Sequence, residues 1–84
     1  MRVINYYDQT LQTITGCAFE PVIVSEGITF FEYLYLIFSS YPEIEKRYPP
    51  GILGFTINGT RPKDFITLKE EDSIYFTVVK YSIN

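Results

Sequence analysis

The sequence predicts one α+β domain, a mixed sheet of four to five strands packed on one face by one main helix. Three observations carry that expectation. Segments rich in β-branched and aromatic residues lie at both ends, one strongly patterned helix lies between them, and a length of 84 residues accommodates a single hydrophobic core. With 46% hydrophobic and 18% aromatic residues, the composition is that of a chain that folds and not of a disordered one. Its eight tyrosines and seven phenylalanines supply bulky material for a small interior.

Arg2-Val3-Ile4-Asn5-Tyr6-Tyr7 reads as the opening strand, and the polar run over residues 8–13 is expected to be a loop or hairpin turn. A second strand is expected over residues 18–24. Pro21 has no N–H for a sheet ladder, which assigns this strand to an edge. Thr29-Phe30-Phe31-Glu32 has capping-box spacing, so a helix starts at Phe30. Phe30, Leu34, Ile37, Phe38 and Tyr41 recur at helical spacing and form its expected buried face. Phe31, Tyr33, Tyr35 and Leu36 are left on its outer face.

Pro42 marks a helix boundary or a fresh helical turn, and Pro49-Pro50-Gly51 ends whatever precedes it. A third strand over residues 52–57 runs into Asn58-Gly59, the dipeptide that best tolerates the positive φ angles of a tight turn. After a partly polar return, the acidic turn Glu70-Glu71-Asp72 leads into a last strand over residues 73–79. There Ile74, Phe76 and Val78 alternate with Tyr75, Thr77 and Val79. The helix is then the crossover between two hairpins, and the right-handed rule limits the topologies sharply.

Seven basic against ten acidic residues give a formal charge of −3, which supplies no field for phosphate backbones or anionic lipid, so neither nucleic acid nor membrane is an expected partner. The most apolar stretch, residues 28–38, is about half of what a membrane span requires and reads as a core helix. Nothing at the start has the pattern of a signal peptide. Cys17 is alone and can form no internal disulfide, so a reducing, cytoplasmic setting is expected.

The sequence holds no histidine, which removes the commonest general base, the usual nucleophile pairs and the most frequent zinc ligand. One cysteine cannot hold an iron–sulfur cluster. Glu43 with Glu45, and Glu70 with Glu71 and Asp72, read as solvated turns, and Cys17 as a small apolar side chain and not a reactive thiol. The glycines are single and form no phosphate loop. No catalytic residue, metal or cofactor is expected, and an enzyme is not the expected reading.

Read together, four segments resemble the MoaD and ThiS family of small sulfur carriers, which have the ubiquitin-like β-grasp fold. They are the opening Arg2-Val3-Ile4-Asn5-Tyr6-Tyr7; Glu26-Gly27-Ile28-Thr29 entering a helix that ends near Tyr41-Pro42-Glu43-Ile44; Phe55-Thr56-Ile57-Asn58-Gly59; and Leu68-Lys69-Glu70-Glu71-Asp72-Ser73-Ile74-Tyr75-Phe76. The resemblance implies protein partners, an adenylating enzyme or the large subunit of a synthase. It also implies a C-terminal Gly-Gly tail whose carboxylate is adenylated and converted to a thiocarboxylate. The sequence departs from that pattern: it closes Tyr81-Ser82-Ile83-Asn84 and has no glycine after Gly59.

The expected function is therefore a non-catalytic, ubiquitin-like protein-interaction module, with Phe31, Tyr33, Tyr35 and Leu36 as its partner-binding surface. Self-association into a homodimer through that patch is a variant. A divergent sulfur carrier, activated at the atypical tail Tyr81, Ser82, Ile83 and Asn84, is the alternative.

Overall fold

Alternation in the opening strand, β1 (Arg2–Tyr7), sends Val3, Asn5 and Tyr7 inward and Ile4 and Tyr6 to the other face. In the computed structural model, which describes residues 1–49, 51–63 and 65–79, β1 is followed by a helix, α1 (Gln9–Thr15), and not by the expected turn. Asp8 caps it, its Oδ1 accepting the Leu11 N–H at 2.8 Å, and Gly16 closes it in the left-handed region at φ 76°. Leu11 is wholly buried and Ile14 packs beside it. Burial of two apolar residues three apart outweighs the poor helix propensity of the threonines around them.

The remaining elements are β2 (Phe19–Ile23), α2 (Phe30–Ser40), α3 (Pro42–Arg47), β3 (Leu53–Ile57) and β4 (Ser73–Val78). The four strands lie in the order β2-β1-β4-β3. β1 and β4 run parallel, and both outer pairings are antiparallel. Parallel neighbours need a long crossover, and α2 lies within it. Pro21 sits on the edge strand β2, as its missing N–H requires.

α2 starts with the full capping box. Thr29 Oγ1 accepts the Glu32 N–H at 3.2 Å, and Glu32 Oε1 accepts the Thr29 N–H at 3.1 Å. That backbone N–H, with the threonine hydroxyl second, holds the Glu32 carboxyl below its ordinary range. Pro42 begins a fresh helix, α3, at a position where no N–H is needed.

The helix face differs from the expectation at one residue. Tyr33, placed on the outer face by its sequence position, is wholly buried, and its hydroxyl donates to Asn5 Oδ1 at 2.7 Å. It stands three residues after Phe30 and four before Ile37, so it shares their face, while Leu34, Phe38 and Tyr41 flank the core half-buried. Aromatic rings continue the contact: Phe30 and Phe38 meet Phe55 at 5.7 and 6.4 Å, and Phe55 meets Phe76 edge-on at 4.9 Å.

The Asn58-Gly59 turn takes φ values of 52° and 84°, as the dipeptide predicts. Asn58 Nδ2 donates to Asp72 Oδ1 at 2.8 Å, and Asn58 Oδ1 accepts the Ser73 N–H at 2.9 Å. The turn after β3 is thereby tied to the turn before β4.

Replacing Tyr33 by Phe removes the donor from a buried amide oxygen and is expected to cost about 1–3 kcal/mol in urea unfolding. Tyr35→Phe, at a side chain 74% exposed, is expected to stay within about 0.5 kcal/mol of the parent. Equal effects of the two variants would remove Tyr33 from the core.

Candidate protein-interaction surface

Residues opposite each other in a ladder share a face of the sheet. The pairings Tyr6–Phe19, Tyr6–Tyr75 and Thr56–Tyr75 therefore set one residue from each strand in a row across the outer face. Tyr6 stacks on Tyr75 with centroids 4.4 Å apart and planes 8° from parallel, and Phe19 lies 5.7 Å from Tyr6. Ile4, Pro21 and Ile23 extend the apolar surface by the same alternation. Leu11, Phe30, Tyr33, Ile37 and Ile44, from all three helices, join one core cluster with the inner-face residues. Among the described residues no layer covers the outer face, and Phe19 stands 58% and Tyr75 40% exposed.

This row was not singled out in the sequence. Its signal lay in the strands already recognised, since Tyr6 and Tyr75 occupy the positions between the inward residues of β1 and β4. Of the helix residues expected at a partner surface, Phe31, Tyr35 and Leu36 are exposed and lie together on α2. Tyr33 does not join them. The tail residues Tyr81, Ser82, Ile83 and Asn84 lie outside the described residues.

Several ionisable groups have structural partners. Glu43 faces Lys46 Nζ at 3.5 Å and Arg47 Nε at 3.6 Å, and Glu71 faces Arg2 Nη2 at 2.7 Å. Glu70 accepts the Arg2 N–H, and Asp72 accepts the Lys69 N–H, each at 2.7 Å. Among the described residues no three metal-ligating side chains come together. Cys17 is half-buried against the core.

One polar cluster lies on the inner side of the sheet, where Glu20 Oε2 accepts the hydroxyls of Tyr7 at 2.7 Å and Tyr41 at 2.8 Å. Burial, and after it the hydrogen bond to Glu20, pushes the Tyr41 phenol up to about 12 and raises Tyr7 further. Burial raises Tyr33 as well, with the Glu20 charge adding to it. All three phenols are thus held neutral as donors.

A mixed sheet with a parallel central pair, antiparallel outer pairs and its helices on one face is the ubiquitin-like β-grasp architecture. Solved structures share it closely. The chain aligns with SAMP1 from Haloferax volcanii over 98% of its own length and 99% of that chain, with a TM-score of 0.82 and 14% identity. A second H. volcanii structure, of small archaeal modifier protein 1, aligns over 94% and 98% with a TM-score of 0.80 and 14% identity. A putative molybdopterin converting factor, subunit 1, from Pyrococcus furiosus aligns over 95% and 99% with a TM-score of 0.85 and 14% identity. The likeness is one of fold, the same fold that the MoaD and ThiS resemblance implies. No family model and no curated protein matches the sequence.

A phenol whose folded pKa is raised stabilises the fold fully below its unfolded value, about 10, and loses that contribution as pH rises through the folded value. Stability is therefore expected to fall between about pH 10 and 12. In a tyrosinate absorbance titration, Tyr41 ionises at about 12, and Tyr7 and Tyr33 ionise only as the fold opens. Tyr41→Phe removes the step at 12; its persistence in that variant would assign it elsewhere.

Proposed function

We propose that this chain is a non-catalytic, ubiquitin-like protein-interaction module of the MoaD and ThiS type, working in the cytoplasm by being bound. The observation that carries the reading is the row Phe19, Tyr6 and Tyr75 on the uncovered face of the sheet. Rigid aromatic side chains lose little conformational entropy on contact and dominate the energetics of protein interfaces. A continuous apolar surface built from three adjacent strands is what a partner of matching shape would cover. The expected partner is an adenylating enzyme or the large subunit of a synthase. The exposed group Phe31, Tyr35 and Leu36 on α2 offers a second contact, for a further partner or for a second copy.

The fold likeness to the Pyrococcus furiosus putative molybdopterin converting factor, subunit 1, favours a second reading. In it the chain is a divergent sulfur carrier activated at its own C-terminus, with Tyr81, Ser82, Ile83 and Asn84 as the segment entering the partner. The two readings share the sheet surface and differ in chemistry at the tail.

Both are tested with the MoaD-type adenylating enzyme of the same cell. The variant Phe19→Ser, at a side chain that keeps most of its area in water, is expected to bind it roughly tenfold or more weakly, with unfolding behaviour close to that of the parent protein. Unchanged affinity would exclude the sheet face. After incubation with ATP and a sulfur donor, an unchanged intact mass supports the non-catalytic module, and a sulfur-for-oxygen gain at Asn84 establishes the carrier.

A further inference from the structure

The two edges of the sheet are finished differently. Antiparallel ladders alternate between residues that bond to the partner strand and residues whose N–H and C=O point away from it. Between β3 and β4, the Val79 N–H donates to the Ile52 carbonyl at 2.6 Å and the Asn58 N–H to the Ser73 carbonyl at 2.8 Å. With the register Gly54 opposite Thr77 and Thr56 opposite Tyr75, the bonded positions of β3 are 54 and 56. Leu53, Phe55 and Ile57 therefore turn their backbone groups outward. Ile57 is closed off, exchanging hydrogen bonds of 2.8 and 3.0 Å with Thr60. Leu53 and Phe55 keep two N–H and two C=O groups with no partner among the described residues.

The same count on the opposite edge, from the bonds Tyr7 N–H to Ala18 O and Val24 N–H to Met1 O, turns residues 19, 21 and 23 of β2 outward. The middle one is Pro21, which has no N–H to offer. A proline at the centre of an edge blocks strand addition. β3 has neither proline nor a charged residue, and Gly54 stands at its centre.

We propose that the free edge of β3 takes up an extended, apolar peptide segment with acidic flanks from a partner protein, which adds to the sheet as a fifth strand. A cavity of about 510 Å³ wraps this edge, with Phe31 and Leu34 of α2 on one side of it and Thr77 and Val79 on the other. An added strand sends alternate side chains to opposite faces, and the cavity has apolar walls for those on the helix side. Arg61 and Lys63 line the same cavity, are exposed, and form no ion pair among the described residues. Arg2, Lys46 and Arg47, by contrast, are each paired. Two cations with no ion pair among the described residues, beside an uncharged edge, select carboxylates in the incoming segment. A second copy of β3 brings none, because residues 51–59 contain no charged side chain. The site is separate from the outer-face aromatic row and does not depend on the role proposed for it.

The probe is the peptide acetyl-Asp-Glu-Val-Ile-Val-Asp-Glu-amide, added to the full chain while amide hydrogen exchange is followed by NMR. Exchange is expected to slow at Leu53 and Phe55 and to stay unchanged at Phe19 and Ile23. The charge reversal Arg61→Glu with Lys63→Glu, at exposed positions where the fold is retained, is expected to weaken the peptide roughly tenfold at low salt. Leu53→Pro, which removes one of the outward donors, is expected to abolish uptake. Peptide protection at Phe19 or Ile23, or an affinity indifferent to the charge reversal, would overturn the proposal. So would protection of Leu53 and Phe55 without peptide together with a doubled solution mass, since a second copy would then hold the edge.

Discussion

The hydrogen bond from the Tyr33 hydroxyl to Asn5 Oδ1 sets the position of α2 over the sheet, and the surfaces of the molecule follow from it. Asn5 is the one buried amide side chain among the described residues, and a buried amide oxygen without a donor is costly. Rotating or sliding α2 would leave both groups unpaired, so the helix has one favourable setting. In that setting Phe30 and Phe38 meet Phe55, and Phe31, Tyr35 and Leu36 necessarily face outward. The capping box at Thr29 fixes where the helix begins, and the buried hydrogen bond fixes which side of it is inside.

Two carboxylates elsewhere in the molecule are likewise committed to architecture. Asp8 accepts the Leu11 N–H through one oxygen and the Val78 N–H at 2.7 Å through the other, joining the start of α1 to the end of β4. Its own N–H donates to the Phe76 carbonyl. Glu20 gathers the hydroxyls of Tyr7 and Tyr41. With these groups occupied, what the described surface offers a ligand is aromatic area, unpaired backbone and the cations Arg61 and Lys63, which are means of recognition by other polypeptides.

Local patterns were legible in the sequence to the extent that one residue type dictates one geometry. The capping box, the Asn58-Gly59 turn, the Pro21 edge and the Pro42 helix start each rest on a single backbone requirement, and each is found where it was expected. α1 was hidden because threonine and glutamine dominate it and only Leu11 and Ile14 mark its buried side. Tyr33 was misplaced because a tyrosine near an apolar stripe can lie on either side of its boundary. Its placement depends on Asn5, 28 residues away, a partner that no local window contains. The aromatic row on the sheet was missed for a related reason, since Phe19, Tyr6 and Tyr75 become neighbours only once the strand order is known.

That row also serves the fold, which separates its members. Tyr6 touches both Phe19 and Tyr75, and its stack across the parallel β1–β4 pair contributes about 0.5–1.5 kcal/mol beyond burial. Loss of Tyr6 would therefore loosen the central strands at the same time as it altered the surface. Phe19, on the edge strand, meets one ring of the row and keeps most of its area in water. The rim of the row is free to be shaped by a partner while its centre is held by the sheet, so recognition can diverge on this face without a change of fold.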